Sequence, residues 1–198
     1  MLELRGLHRL QVGPIHLTAD SGSCIAIAGK SGAGKSVMLR MIADLDPHEG
    51  DALLDGHACS GMPAPAWRRR VTYVAAESGW WHERVGQHFP AGTDFTTLLP
   101  SFGIPAEASM WPVARLSTGE RQRLALLRAL SPANRVLLLD EPTSGLDGES
   151  VTQVEALLHK QLASGTTILL VTHDPKQAAR MASRQMELGD GHLKETKR

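Results

Sequence analysis

The chain has little of what would mark it for several large protein classes. Among its 198 residues only two are cysteines, Cys24 and Cys59, enough for one disulfide at most. Cys24 lies in an apolar run and reads as a small core residue, the usual fate of a lone cysteine, so a reducing compartment is expected. An excess of charge of one sign is also missing: 21 Lys and Arg balance 21 Asp and Glu. No global field therefore draws the chain toward nucleic acid or anionic lipid. No apolar run approaches the roughly 18 residues of a membrane span. No internal repeat, low-complexity tract or sustained heptad is present. Met1-Leu2-Glu3-Leu4-Arg5 alternates like a half-exposed strand and lacks the charged-then-apolar layout of a signal peptide.

What is there fits one domain of ordinary size with a real core. Short strands are expected at residues 2–5, 15–19 and 24–28, the last nearly all apolar, as in a strand buried on both faces. A helix follows in which Val37, Met38, Met41, Ile42 and Leu45 recur at helical spacing. A small strand and turn is expected at 52–56 and another strand at 71–75. After residue 116 the pattern gives a helix over 118–130, a wholly apolar strand at 136–139 and an amphipathic helix carrying Val151, Val154, Leu158 and Leu162. A strand at 167–171 precedes a helix with Asp174 as N-cap and Pro175 at its first position. A hairpin around Gly189-Asp190-Gly191 closes the pattern. Alternating strands and helices with continuous apolar strands argue an α/β fold with a mostly parallel sheet.

Between residues 77 and 115 the alternation stops. Three of the four tryptophans and all three phenylalanines fall in this stretch, with Pro90, Pro100, Pro105 and Pro112. It reads as a small insertion with its own aromatic core. Phe95, Leu98, Leu99 and Phe102 have helical spacing, which Pro100 strains unless it lies near a helix start.

The strongest motif is Gly29-Lys30-Ser31-Gly32-Ala33-Gly34-Lys35-Ser36, which matches G-x-x-x-x-G-K-[ST] without a mismatch. It lies where phosphate binding requires, between a buried strand and a helix. Glycines let the backbone wrap an anion, and the helix N-terminus adds partial positive charge. In that role Lys35 reaches the β- and γ-phosphates and the Ser36 hydroxyl ligates Mg²⁺. A ligand-free glycine-rich turn is the alternative, but average residue usage makes a chance match in such a chain about 1 % or less. The second element is Val136-Leu137-Leu138-Leu139-Asp140-Glu141. The apolar strand delivers two carboxylates to its carboxyl end, where ligands of such sheets bind. Asp140 suits Mg²⁺, and Glu141 suits a base that polarises water. Asp, Glu and Pro142 also suit a plain helix start.

Leu116-Ser117-Thr118-Gly119-Glu120 then precedes a long helix. Ser117 and Glu120 form an S-x-x-E capping box, and Gly119 leaves the helix N-terminus open to another phosphate. A well-capped core helix accounts for the same residues. In this order, however, the motifs resemble those of the ABC ATPase family, whose signature reads L-S-G-G-Q or close variants; this chain departs at Thr118 and Glu120. Ser144-Gly145-Leu146-Asp147 is similar to the family's D-loop, and His173 stands after a strand as its switch histidine does. The resemblance covers almost the whole chain. It implies a phosphate-loop NTPase core with a mostly parallel sheet, an N-terminal antiparallel portion and a short helical subdomain. Residues 1–76 and 117–198 would form the core, and 77–116 the reduced subdomain ending at the signature.

The resemblance further implies an ATPase that binds ATP and Mg²⁺, with Ser36 and Asp140 toward the metal and Glu141 and His173 toward hydrolysis. It implies a head-to-tail homodimer around two ATP, in which Ser117, Thr118, Gly119 and Asp147 complete the nucleotide sites. The partner it implies is a separately encoded membrane permease, with the chain cytoplasmic and peripheral to the inner membrane face. The compact size is weakly similar to Fet-type bacterial cassettes assigned to iron export. Two departures stand out. Leu7-His8-Arg9-Leu10-Gln11 holds no aromatic residue to stack on adenine. Tyr73-Val74-Ala75-Ala76 puts alanine where the family has its Q-loop glutamine, with Glu77 next. Trp80, Trp81 and His82 follow, in the region that in the family touches the permease.

Other functions fit less of the chain. A DNA-maintenance ABC ATPase needs long coiled coils or added domains, and Trp67-Arg68-Arg69-Arg70, the only basic run, reads as a solvated face. A P-loop kinase or switch GTPase explains residues 29–36 and leaves 116–120, 144–147 and His173 unexplained. A regulatory cassette with weak hydrolysis remains the alternative that the altered Q-loop allows.

Overall fold

The computed structural model describes residues 1–196. The chain opens with a hairpin of β1 (Leu2–Arg9) and β2 (Val12–Ala19), followed by β3 (Cys24–Ala28) and helix α1 (Lys35–Ile42). β4 (Glu49–Leu54) and the two-residue β5 (His57–Ala58) lead to α2 (Ala64–Arg68) and β6 (Val71–Val74). Residues 77–116 hold one short α-helix, α3 (Phe95–Leu98), among 3₁₀ turns. Then come α4 (Thr118–Ala129), β7 (Val136–Asp140), α5 (Gly148–Ala163), β8 (Thr167–Val171) and α6 (Pro175–Met181). A last hairpin, β9 (Arg184–Gly189) and β10 (His192–Glu195), turns at Asp190-Gly191, both with positive φ as such tight turns require.

Two sheets result. A four-stranded antiparallel sheet has the order β2-β1-β4-β5, and a six-stranded sheet has the order β10-β9-β3-β8-β7-β6. All pairs of the larger sheet are parallel except β9–β10. The expected α/β fold with a mostly parallel sheet and an antiparallel N-terminal portion is what the chain adopts. Its central strands are buried on both faces, so alternate residues feed different cores. Ile25, Ile27, Leu138, Leu169 and Val171 pack with α1 and the antiparallel sheet. Cys24, Ala26, Leu137, Leu139, Ile168 and Leu170 pack with α4, α5 and residues 85–116. Both cysteines are buried and free, and burial pushes both thiols up to about 12.

Three expectations change. β1 does not stop at Arg5 but runs to Arg9, through a register irregularity between Leu4 and Leu7. Gly6 has φ 63°, and the extra residue flips the inward parity from Leu2 and Leu4 to Leu7, which ends the simple alternation. The helix expected across Phe95–Phe102 breaks in two: α3 ends at Leu98, and Pro100, which has no N–H to donate, opens a separate 3₁₀ turn. The separate aromatic core does not exist. Val85, Leu99, Phe102, Ile104 and Ala108 are buried against Leu124, Leu127, Val154 and Leu158, as one core with the sheet face. Phe89 and Phe95 meet edge to face at 5.3 Å but are only partly buried at its margin.

Trp67 is fully buried, with its indole N–H donating to the Ile42 carbonyl at 2.9 Å, whereas Arg68, Arg69 and Arg70 are exposed. Arg68 donates to the Asp44 carbonyl just past α1, so part of the basic run serves the end of that helix.

Candidate functional site

β3 delivers the chain into the loop at 29–34, where Gly29, Gly32 and Gly34 have φ of 147°, 79° and 96°. Two of these positions are closed to any side chain as well as strained. A Cβ on Gly29 would lie 2.4 Å from the Leu188 carbonyl oxygen, and one on Gly34 would lie 2.2 Å from Val12 Cγ2. The loop ends at α1, whose N-cap is Gly34, with no side-chain cap and no acidic residue in the first turn. The first N–H groups of α1 and its positive dipole end are thus left to an anion.

Lys35 is 8 % exposed, and its Nζ donates to the carbonyls of Gly29 at 2.8 Å and Lys30 at 3.0 Å. The ammonium is folded back into its own loop and held by neutral acceptors. Beside the loop lies an open cavity of about 620 Å³, bounded by Gln11, Val12, residues 30–33 and the β9–β10 turn. Its described lining contains no aromatic residue.

The second half of the site comes from the carboxyl ends of β6, β7 and β8. Asp140 closes β7 and is 5 % exposed. Its Oδ2 accepts from Ser36 Oγ at 2.6 Å and from the Tyr73 hydroxyl at 3.0 Å. Burial first, and then the Asp140 charge, hold the Tyr73 phenol above its usual range, so it stays a donor. Glu141 follows with φ 50°, a left-handed conformation that non-glycine residues rarely take. Its backbone is tied in place. Its N–H donates to the Val171 carbonyl at 2.9 Å, and its carbonyl accepts from Gln122 Nε2 at 2.6 Å and from the Ser144 N–H at 3.1 Å; its Oε1 lies 3.0 Å from His173 Nε2.

Ser36, Asp140, Glu141 and His173 therefore meet at one sheet edge next to the glycine-rich loop. Ser36 Oγ and Asp140 are hard oxygen donors, and the described residues hold no cluster of three or more His, Cys, Asp or Glu able to cage a metal. That donor set fits Mg²⁺, which takes one or two protein oxygens and fills the rest of its shell with phosphate and water.

Ser117 and Asp147 are engaged at the starts of their own helices. Ser117 caps α4: its Oγ accepts from Glu120 N–H at 3.2 Å, and Glu120 Oε2 accepts from Ser117 N–H at 2.8 Å. Asp147 caps α5 by accepting from Ser150 N–H at 2.8 Å, a bond that holds its carboxyl below the usual range. Gly119 faces the residue before Asp147, since a Cβ there would lie 3.1 Å from Leu146 Cδ2. Within one chain the side chains of Ser117 and Asp147 are thus directed to their own helix starts, not to the phosphate loop. Ser117→Ala is expected to cost about 1 kcal/mol by uncapping α4. A thermal melt of the variant should show a drop of about 2–4 °C.

Ala76 and Glu77 are exposed, in the bend after β6. Two residues at the site, Tyr73 and Gln122, escape a reading of the sequence. Gln122 had a signal: it is a polar residue in the inward stripe of α4 and is 9 % exposed. Tyr73 had none beyond being the only tyrosine of the chain.

A glycine-rich loop between a buried parallel strand and a helix, facing a carboxylate at the end of a neighbouring strand, defines a phosphate-loop NTPase fold. The chain belongs to the ABC transporter family, whose model matches residues 12–144. It is 36 % identical to the aliphatic sulfonates import ATP-binding protein SsuB of Cupriavidus pinatubonensis, over 94 % of this chain and 62 % of that protein. It is 34 % identical to the Fe(3+) ions import ATP-binding protein FbpC of Mesorhizobium japonicum, over 96 % of this chain and 58 % of the relative. The chain thus spans about three fifths of the length of these two relatives. Its fold matches that of the ATP-binding cassette MJ0796, in a dimeric post-hydrolysis state bound to ADP and Pi. The TM-score is 0.84 at 24 % identity, covering 100 % of this chain and 98 % of that one.

Proposed function

We propose that this chain is the ATP-binding and ATP-hydrolysing subunit of an ABC transporter. The observation that carries the reading is the convergence of Ser36, Asp140, Glu141 and His173 beside the loop 29–36. In this reading residues 29–36 hold the phosphates. Ser36 and Asp140 hold Mg²⁺, which when bound neutralises phosphate charge. Glu141 takes the proton of an attacking water, and His173 orients Glu141 and meets the γ-phosphate. Ser117, Thr118, Gly119 and Asp147 act on the nucleotide of a second copy, in a homodimer around two ATP. The engagement of Ser117 and Asp147 with their own helix starts supports that division of labour. Residues 1–76 and 117–198 act as the nucleotide-binding core, and 77–116 as a reduced helical subdomain.

The partner is a membrane permease. Among the described residues no helix is long and apolar enough to cross a membrane. The relatives named above carry import in their names, which favours import over the export suggested by the compact size. The permease contact is assigned to the start of the helical subdomain. Trp81 is 67 % exposed, and the Arg128 guanidinium lies 4.6 Å and 4.8 Å from the Trp80 and Trp81 rings. An exposed aromatic braced by arginine is the composition of an interface core. Co-expression with the cognate permease should carry the chain to the membrane fraction, where it shows Mg²⁺-dependent ATPase activity. Trp81→Ala should reduce that recovery about tenfold, as for a central aromatic contact. Recovery of the wild type as a soluble complex with nucleic acid, with no membrane protein, would sink the reading.

A further inference from the structure

β6 lies beside β7 in the sheet and runs straight into residues 77–116. The parallel register pairs Tyr73 with Leu138. Paired residues share a sheet face, and so do residues two apart on one strand, so Tyr73, Leu138 and Asp140 all look toward α1. Along that face Asp140 lies two residues beyond the Tyr73 pairing, about 6.6 Å at 3.3 Å per residue. A tyrosine spans that gap and a serine or threonine does not. Its hydroxyl meets the same Oδ2 that accepts from Ser36, at 3.0 Å and 2.6 Å.

We propose that Tyr73 is a positioning residue for the cation site, and that its hydroxyl, not Ala76 or Glu77, is the oxygen through which β6 is tied to Asp140. The inference rests on the reading of Ser36 and Asp140 as the magnesium residues. With both donors on Oδ2, the other oxygen of Asp140 is presented to a cation or its waters. The Ser36 hydroxyl has one hydrogen and two lone pairs, so it can keep donating to Asp140 while its oxygen faces the metal. Tyr73 gives its hydrogen to the same carboxylate oxygen and so helps fix its orientation. Ala76 has no polar side-chain atom, and Glu77 is exposed beyond the strand end. The Tyr73–Asp140 bond therefore also links the entry of the helical subdomain to the metal site.

Tyr73→Phe removes the hydroxyl and keeps the ring, so packing against α1 is preserved. The measurement is binding of a fluorescent ATP analogue to the purified chain, in EDTA and along a Mg²⁺ titration, beside wild type and Glu77→Ala. In EDTA the affinity of Tyr73→Phe should stay within about twofold of wild type. Its half-saturating Mg²⁺ should rise about tenfold, the usual worth of a hydrogen bond to a charged group. Glu77→Ala should titrate like wild type. An unchanged Mg²⁺ requirement in Tyr73→Phe, or an equal loss of affinity with and without Mg²⁺, overturns the proposal. So does a shift in Glu77→Ala with none in Tyr73→Phe. Wild-type chain that binds no nucleotide in any condition fails the proposed function itself, which is a separate result.

Discussion

Glu141→Gln is expected to keep its nucleotide affinity and to hydrolyse ATP about 10²–10⁴-fold more slowly, the usual worth of a positioned general base. The substitution is clean because the backbone, not the carboxylate, secures this residue. The N–H bond to Val171 and the carbonyl bond from Gln122 both survive the change, as does the unusual φ of 50°. The amide oxygen can still face His173 Nε2, which lies 3.0 Å from the carboxylate in the wild type. What is lost is the ability to take a proton. ATP should then stay bound, and size-exclusion chromatography with ATP and Mg²⁺ should show an accumulated dimer. Glu141→Gly is a useful companion. Glycine takes φ 50° without strain, so its fold should be at least as stable, yet its turnover should fall as far. Near-normal hydrolysis in Glu141→Gln would remove Glu141 from the role of base.

Lys35→Ala should fail at the earlier step, with nucleotide affinity falling about 10- to 100-fold through loss of charge-assisted contacts. The side chain is 8 % exposed and, among the described residues, donates to the carbonyls of Gly29 and Lys30. A buried ammonium held only by neutral acceptors is poorly compensated until an anion arrives. Removing it should therefore do little harm to the nucleotide-free fold; the Lys30 carbonyl retains the Ala33 N–H at 3.2 Å. Equilibrium binding of an ATP analogue, with a thermal melt of the nucleotide-free chain, separates the two effects. Wild-type affinity in Lys35→Ala would place the phosphates outside the loop.

The signals that were legible in the chain are those completed within a few residues. The loop 29–36 needs only its own glycines and the flanking strand and helix. The capping box at Ser117 and Glu120, and Asp174 with Pro175 at the start of α6, are likewise closed by partners two or three residues apart. The apolar run of β7 is sufficient to bury it on both faces. Local signals failed where the backbone departs from its period. The parity flip at Gly6 concealed half of β1. The dense aromatics of 77–116 suggested a core of their own, whereas aliphatic residues scattered from 85 to 108 join that segment to the main sheet.

The sequence by itself determined the chemistry available: a phosphate loop, two adjacent carboxylates after an apolar strand, a capped helix start and a histidine after another strand. Tertiary structure alone decided which of these groups meet. Ser36 reaches Asp140 across 104 residues, Tyr73 reaches it across 67, and Gln122 reaches the Glu141 carbonyl across 19. These contacts follow from the order of strands in the sheet and from the one register that sets Tyr73 opposite Leu138. Hydrophobic periodicity says which face of a strand is buried, but it carries no information about which strand lies alongside.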